Sequence, residues 1–113
     1  MTPCIFCQIA VGAAPAHIVY RDEDVIAFHD IAPQAPMHIL IVPARHITSL
    51  AETDRRNTLL LGRLIATATD IARAEELAAG YRLVISTGPQ GGQTVSHLHV
   101  HLLGGRQMTW PPG

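Results

Sequence analysis

The sequence predicts an α+β fold, a five-stranded and mainly antiparallel sheet with one long helix between the third and fourth strands. Three observations carry this expectation. Short β-branched and aliphatic runs recur between turn signals, one uninterrupted stretch has helical apolar spacing, and a run near the end alternates histidine with aliphatic residues. A chain of 113 residues fits one compact domain, read here as residues 1–113.

In chain order, residues 12–16 (Gly-Ala-Ala-Pro-Ala) read as a connection, and 18–20 and 25–29 as a hairpin around the acidic turn Asp22-Glu23-Asp24. Two prolines, Pro33 and Pro36, exclude a helix or central strand over residues 30–36. Residues 38–42 then form an almost wholly apolar strand that Pro43 ends. Helical spacing runs over residues 53–79, with Thr53 or Asp54 as cap and Gly80 as stop. Leu61, Leu64, Ala68 and Ile71 make one stripe, which Leu60, Ile65 and Ala72 widen into a core or subunit contact. Residues 81–87 and 97–103 complete the strands, and residues 104–113 carry too much glycine and proline for regular structure. The only tryptophan, Trp110, lies in that tail, which predicts that it crosses a dimer interface.

Composition narrows the function. With 48% hydrophobic and 15% charged residues and a formal net charge of -1, neither a nucleic-acid-binding surface nor a disordered acidic chain is expected. There is no lysine, which removes a Walker-type phosphate lysine and a Schiff-base lysine. No apolar run is long enough to cross a bilayer and the N-terminus lacks a secretion signal, so a cytoplasmic protein without membrane contact is expected.

The chemistry concentrates in His97-Leu98-His99-Val100-His101. On a strand, the three imidazoles share one face while Leu98, Val100 and Leu102 pack on the other. Such crowding disfavours full protonation, leaving at least one neutral ring as nucleophile or ligand. Two chemistries stay open at this level. Three alternate histidines can bind a catalytic zinc with an open water position. Alternatively, the preceding Gly91-Gly92-Gln93-Thr94 can offer backbone amides and a hydroxyl to a phosphate beside His99. Cys4 and Cys7 form a C-x-x-C pair too closely spaced to staple a fold, which suits metal binding or redox exchange.

Taken together, residues 27–36 (Ala-Phe-His-Asp-Ile-Ala-Pro-Gln-Ala-Pro), His38 before a strand ending in Pro43, Gly91-Gly92-Gln93, the alternating histidines and the Trp-Pro-Pro-Gly ending resemble the histidine triad superfamily. More closely, the chain resembles the Hint branch of purine nucleoside phosphoramidases. The resemblance implies a homodimer joined through the long helix and an edge strand, each tail lying near the partner's active site. It implies that purine nucleoside monophosphate derivatives are bound, with Tyr20, Phe28 and Ile31 around base and ribose and Asp30 accepting from the ribose hydroxyls.

Phosphoryl chemistry then assigns roles: neutral His99 attacks the α-phosphorus of a nucleoside phosphoramidate in line, and water hydrolyses the nucleotidyl-histidine. The Gly92 and Gln93 amides, Thr94 and His101 stabilise phosphoryl charge or assist the leaving nitrogen, and His38 orients an imidazole. No cofactor is expected for catalysis. Relatives with a structural zinc have ligands matching Cys4, Cys7, His46 and His97, which leaves room for such a zinc here and assigns His97 to structure. Two positions depart from the Hint pattern: Ser86 replaces an asparagine and Thr94 a serine. The competing readings are a dinucleoside polyphosphate hydrolase, a nucleotide-binding interaction module with vestigial activity, and a mononuclear zinc hydrolase using His97, His99 and His101. His17 and His29 are read as surface and turn residues without a role.

Overall fold

Alternation decides the architecture: in a strand, neighbouring side chains point to opposite sides, so each strand here supplies both faces of one sheet. A computed structural model describes residues 4–113 of the protein. The strands are β1 (Ile18–Arg21), β2 (Val25–His29), β3 (Met37–Pro43), β4 (Tyr81–Val84) and β5 (Val100–Gly104). They form one antiparallel sheet in the order β1-β2-β3-β5-β4, as the composition of the runs predicts.

One face carries Val25, Ala27, Ile39, Ile41, Val100 and Leu102, which Leu64, Ala68, Ile71 and Ala72 of the long helix cover. That helix is α2 (Thr58–Ala74). Each fully buried aliphatic side chain here contributes about 1.5–3 kcal/mol relative to exposure. The opposite face carries Ile26, Phe28, Leu40 and Val42 beneath Phe6 and Ile9 of the short helix α1 (Ile5–Ala10). Sequence reading missed α1, because six residues give less than two turns of periodicity. Tertiary contacts hold it instead. Phe6 stacks edge-on against Phe28, and the Arg21 guanidinium donates to the Ala10 carbonyl at its C-terminus.

The helix is shorter than the apolar pattern at both ends. Before it stand two 3₁₀ turns, Leu50–Glu52 and Arg55–Asn57, and the Asp54 capping box opens the second. After Ala74 the chain leaves the helix through Glu76 in the left-handed region, at φ 59°. The amides of Glu76 and Leu77 turn back to the carbonyls of Arg73 and Ala72, the hydrogen-bond pair of a Schellman end. Glycine normally signals this stop, so the expected stop at Gly80 falls several residues late.

β5 is also shorter than its alternating pattern, starting at Val100 and not at His97. The reason is local bonding: the Leu98 amide donates to the Ile47 carbonyl and the His97 carbonyl accepts from the His99 ring. Without a partner beyond the Val84↔His101 pair, β4 stops at Val84 instead of residue 87. The tail has no regular structure, as expected. Arg82 of edge strand β4 holds it by donating to the Thr109 carbonyl at 2.8 Å, and Trp110 is 84% exposed.

Candidate active site

The free edge of the chemistry is the α1 face, where β3 and β5 bring histidines together on a diagonal. Register sets His38 opposite Leu103 and Leu40 opposite His101, so His38 and His101 are same-face diagonal neighbours. Their rings meet with His38 Nε2 2.9 Å from His101 Nδ1. The Gln34 backbone N–H donates to His38 Nδ1 at 3.0 Å. A backbone amide can only donate, so Nδ1 carries the lone pair and neutral His38 carries its proton on Nε2. That proton goes to His101 Nδ1, while the Asp30 carboxylate stands 3.4 Å from His38 Nε2 as a second, more distant acceptor. Neutral His101 therefore holds its own proton on Nε2.

His99 is buried and its ring lies edge-on to both His101 and Phe6. Its Nδ1 is 2.7 Å from the His97 carbonyl, an acceptor only, so Nδ1 bears a proton and the neutral ring has its lone pair on Nε2. His99, His101 and Thr94 line a cavity of about 340 Å³ with Phe28, Asp30 and Ile31. Phe6 and Ile9 of α1 close its far wall. Ile31, 99% exposed, stands at the mouth as an apolar side chain without a packing partner. A wider hollow of about 530 Å³ lies under the tail, but it contains no imidazole.

His97 shares the histidine face but has separate partners. Its Nε2 donates to the Pro43 carbonyl at 2.9 Å, leaving an Nδ1 lone pair 3.3 Å from Cys4 Sγ and 3.5 Å from Cys7 Sγ. His46 Nδ1 is 3.3 Å from Cys7 Sγ, and all four ligand atoms lie within 4.8 Å of one another. A tetrahedral zinc with bonds of about 2.0–2.3 Å separates its ligands by about 3.5 Å, so this set fits one ion. The carbonyl on His97 Nε2 is the partner that fixes a ligating imidazole's tautomer. With four protein ligands such an ion would have no open position, so its part would be structural, tying Cys4 and Cys7 at α1 to His46 after β3 and His97 before β5.

Several expected contacts are not formed. Tyr20 sits opposite Ala27, on the α2 face of the sheet, where its hydroxyl donates to Asp22; it does not reach the cavity. The amides of Gly92 and Gln93 are engaged inside their own turn, with the Pro89 and Gly88 carbonyls, so they do not form a phosphate cradle. The Gln93 side chain is likewise structural, bridging Gly88, Thr48 and Val95. Gly91 is the glycine with the steric requirement, since a Cβ there would stand 2.2 Å from the Thr87 oxygen. Ser86, half-buried after β4, does not line the cavity. Nor do His97, His99 and His101 converge on one ion, which overturns the three-histidine zinc hydrolase. Conversely, sequence reading gave His29 no role, yet it lines the cavity and its ring lies against that of His17. The Phe6/Ile9 wall was also missed, although the i,i+3 spacing of two apolar residues beside the thiols is its signal.

Electrostatics agree with neutral rings. Burial, reinforced by His99 and His38, pushes the His101 imidazole down to about 4, against the opposing pull of Asp30. Burial also lowers His38 below its ordinary value, again opposed by Asp30. A ring whose folded value lies below its unfolded one binds its proton mainly after unfolding. Its contribution to stability is therefore complete above about pH 6.5 and lost as pH falls toward about 4. We expect the urea midpoint to drop through this window and the drop to shrink in His101→Gln; a flat midpoint in the native sequence would contradict the neutral-ring assignment.

Comparison with known proteins is consistent with this geometry. The family model described as "HIT domain" matches residues 11–108. Adenylylsulfatase HINT1 of Arabidopsis thaliana is 49% identical over 99% of this chain and 78% of that protein. A 14 kDa zinc-binding protein of Zea mays is 52% identical over 99% of this chain and 89% of its own length. Among solved structures, a HIT family hydrolase from Legionella pneumophila superposes with a TM-score of 0.96 at 49% identity, covering 98% of this chain and 100% of that one. A family match over most of the chain, relatives near half identity and a shared fold all point the same way: this chain belongs to the HIT family.

Proposed function

We propose that the protein is a nucleotide hydrolase, and that its preferred reaction is cleavage of the P–N bond of purine nucleoside phosphoramidates. The observation that carries the reading is the His99 tautomer: Nδ1–H committed to the His97 carbonyl, Nε2 bearing the lone pair beside the cavity. His99 Nε2 attacks the α-phosphorus in line, forming a P–N bond to the ring while the bond to the leaving amine breaks. His101 Nε2–H supplies a donor for the phosphoryl oxygens or for the departing nitrogen, and the Thr94 hydroxyl a second. Water then displaces His99, releasing the nucleoside monophosphate. Phe28 and Ile31 offer the apolar surface for a purine, and Asp30 the acceptor for ribose hydroxyls.

Relatives named as a HIT family hydrolase and an adenylylsulfatase support hydrolysis at an adenylyl unit. The relative named as a zinc-binding protein supports a structural zinc on Cys4, Cys7, His46 and His97. A homodimer fits the open edge of β4, with Tyr81 exposed on it, and the exposed Ile65 of α2. Among the described residues no helix is long and apolar enough to cross a membrane.

The test is intact-mass measurement after brief exposure to an adenosine phosphoramidate, with diadenosine tetraphosphate in parallel. The expected result is a nucleotidyl adduct on the peptide containing His99 and faster turnover of the phosphoramidate. Faster turnover of the tetraphosphate would assign the dinucleoside polyphosphate reaction instead, and an adduct on another residue would remove His99 as nucleophile.

A further inference from the structure

His38 owes its tautomer to a backbone amide on a loop, so whatever fixes that loop also fixes the ring. The loop is residues 30–36, between β2 and β3. Its first half is self-supporting: Asp30 Oδ1 accepts from the Ala32 amide at 2.8 Å, and the Asp30 amide donates to the His38 carbonyl. Its second half, which includes the Gln34 amide, leans on the start of the C-terminal tail. Arg106 Nε donates to the Gln34 carbonyl at 3.0 Å. Just before it, Gly105 lies against Pro36 so closely that a Cβ would come within 3.0 Å of the proline ring. Arg106 itself makes no contact with the cavity.

The bonds therefore run in one unbroken series. The guanidinium holds the Gln34 carbonyl, the Gln34 N–H holds His38 Nδ1, and His38 Nε2–H holds His101 Nδ1. Each donor in the series has one acceptor at hydrogen-bond distance or a clearly nearer one. We propose that Arg106 is a positioning residue, which through Gln34 keeps His38 as the Nε2–H tautomer and so keeps the His101 Nε2–H aimed into the cavity.

Release of the Gln34 carbonyl frees the Gln34–Ala35 peptide, and the change in the Gln34 φ and ψ that follows shifts the neighbouring Pro33–Gln34 peptide, whose N–H forbids a proton on His38 Nδ1. The His38 proton is then free to reside on either nitrogen. His101 loses its donor partner whenever it moves, and its own proton is no longer confined to Nε2. Any effect on turnover rests on the hydrolase reading above, whereas the tautomer does not.

The experiment is ¹⁵N–¹H correlation NMR of the imidazoles, at a pH where the rings are neutral, in the native protein, Arg106→Ala and Arg82→Ala. Arg82→Ala is the control for tail loosening, because Arg82 fastens the tail at Thr109 without touching the loop. The expected result is a single Nε2–H tautomer of His38 in the native protein and Arg82→Ala, and a mixture in Arg106→Ala. Arg106 is exposed, so its truncation leaves the core unaltered and the spectra remain interpretable. In turnover of the phosphoramidate, Arg106→Ala should lower kcat by about tenfold with KM within about twofold, the scale of losing a partner that orients a working imidazole.

A single Nε2–H tautomer retained in Arg106→Ala would overturn the proposal. Mixtures appearing equally in both variants would also overturn it, since the tail as a whole, not Arg106, would then be responsible. Absence of turnover in the native protein would count against the hydrolase reading alone, with the tautomer still deciding this one.

Discussion

Replacing His99 by alanine should lower kcat/KM for an adenosine phosphoramidate by roughly 10⁴-fold or more, the scale expected when a covalent nucleophile is removed. The effect is large because no neighbouring ring can substitute. His38 Nδ1 is occupied by the Gln34 amide and its Nε2 proton points to His101, so neither nitrogen is a free nucleophile. His101 Nδ1 accepts that proton, which leaves only an N–H toward the cavity. The His97 ring is turned to the thiols. Of His38, His97, His99 and His101, only His99 offers a lone pair toward the cavity. Because His99 packs against Phe6, alanine also leaves a gap, so His99→Asn serves as a second variant that better fills the space. Both should bind the product nucleotide and form no adduct. Turnover within tenfold of native in both variants would reassign the nucleophile.

The second large effect concerns the metal. Freshly purified protein should contain about one zinc per chain, and chelation or the paired change Cys4→Ser with Cys7→Ser should remove it. At free zinc a thousandfold above Kd, a site present only in the folded state adds about 4 kcal/mol to stability. The loss should therefore appear as a marked fall in melting temperature that added zinc reverses in the native protein but not in the double variant. Activity should fall much less than stability, since the ion contacts no part of the cavity-lining machinery directly. Less than about a tenth of an equivalent without chelation, or a melting temperature indifferent to zinc, would contradict a site of this kind.

Much of this was legible in the residues because it followed from period and composition. The strand runs, their antiparallel sheet and the alternation of His97, His99 and His101 against Leu98, Val100 and Leu102 all reflect side-chain spacing, which burial then enforces. What was not legible depended on single hydrogen bonds. Nothing local marks Glu76 as a left-handed stop, because glutamate has no intrinsic preference for that conformation. The Gly-rich turn suggested a phosphate cradle from its residue types, but its amides are spent within the turn. Tyr20 was placed with the base by family analogy, while the irregular pairing of β1 with β2 sends it to the other face. α1 needed tertiary packing to exist at all. Residue types thus indicated which groups are candidates for the chemistry, and only the backbone's own bonding showed which of them have a lone pair or a proton left for the cavity.

The acceptor that orients His99 is a main-chain carbonyl, and every amino acid has one. Drift at position 97 can therefore exchange the imidazole for another side chain, and with it abandon the ion, while the oxygen that holds the reacting ring stays in place. On the proposed reading, metal dependence and reactivity would in this way be separately inheritable, although a single residue would serve both here.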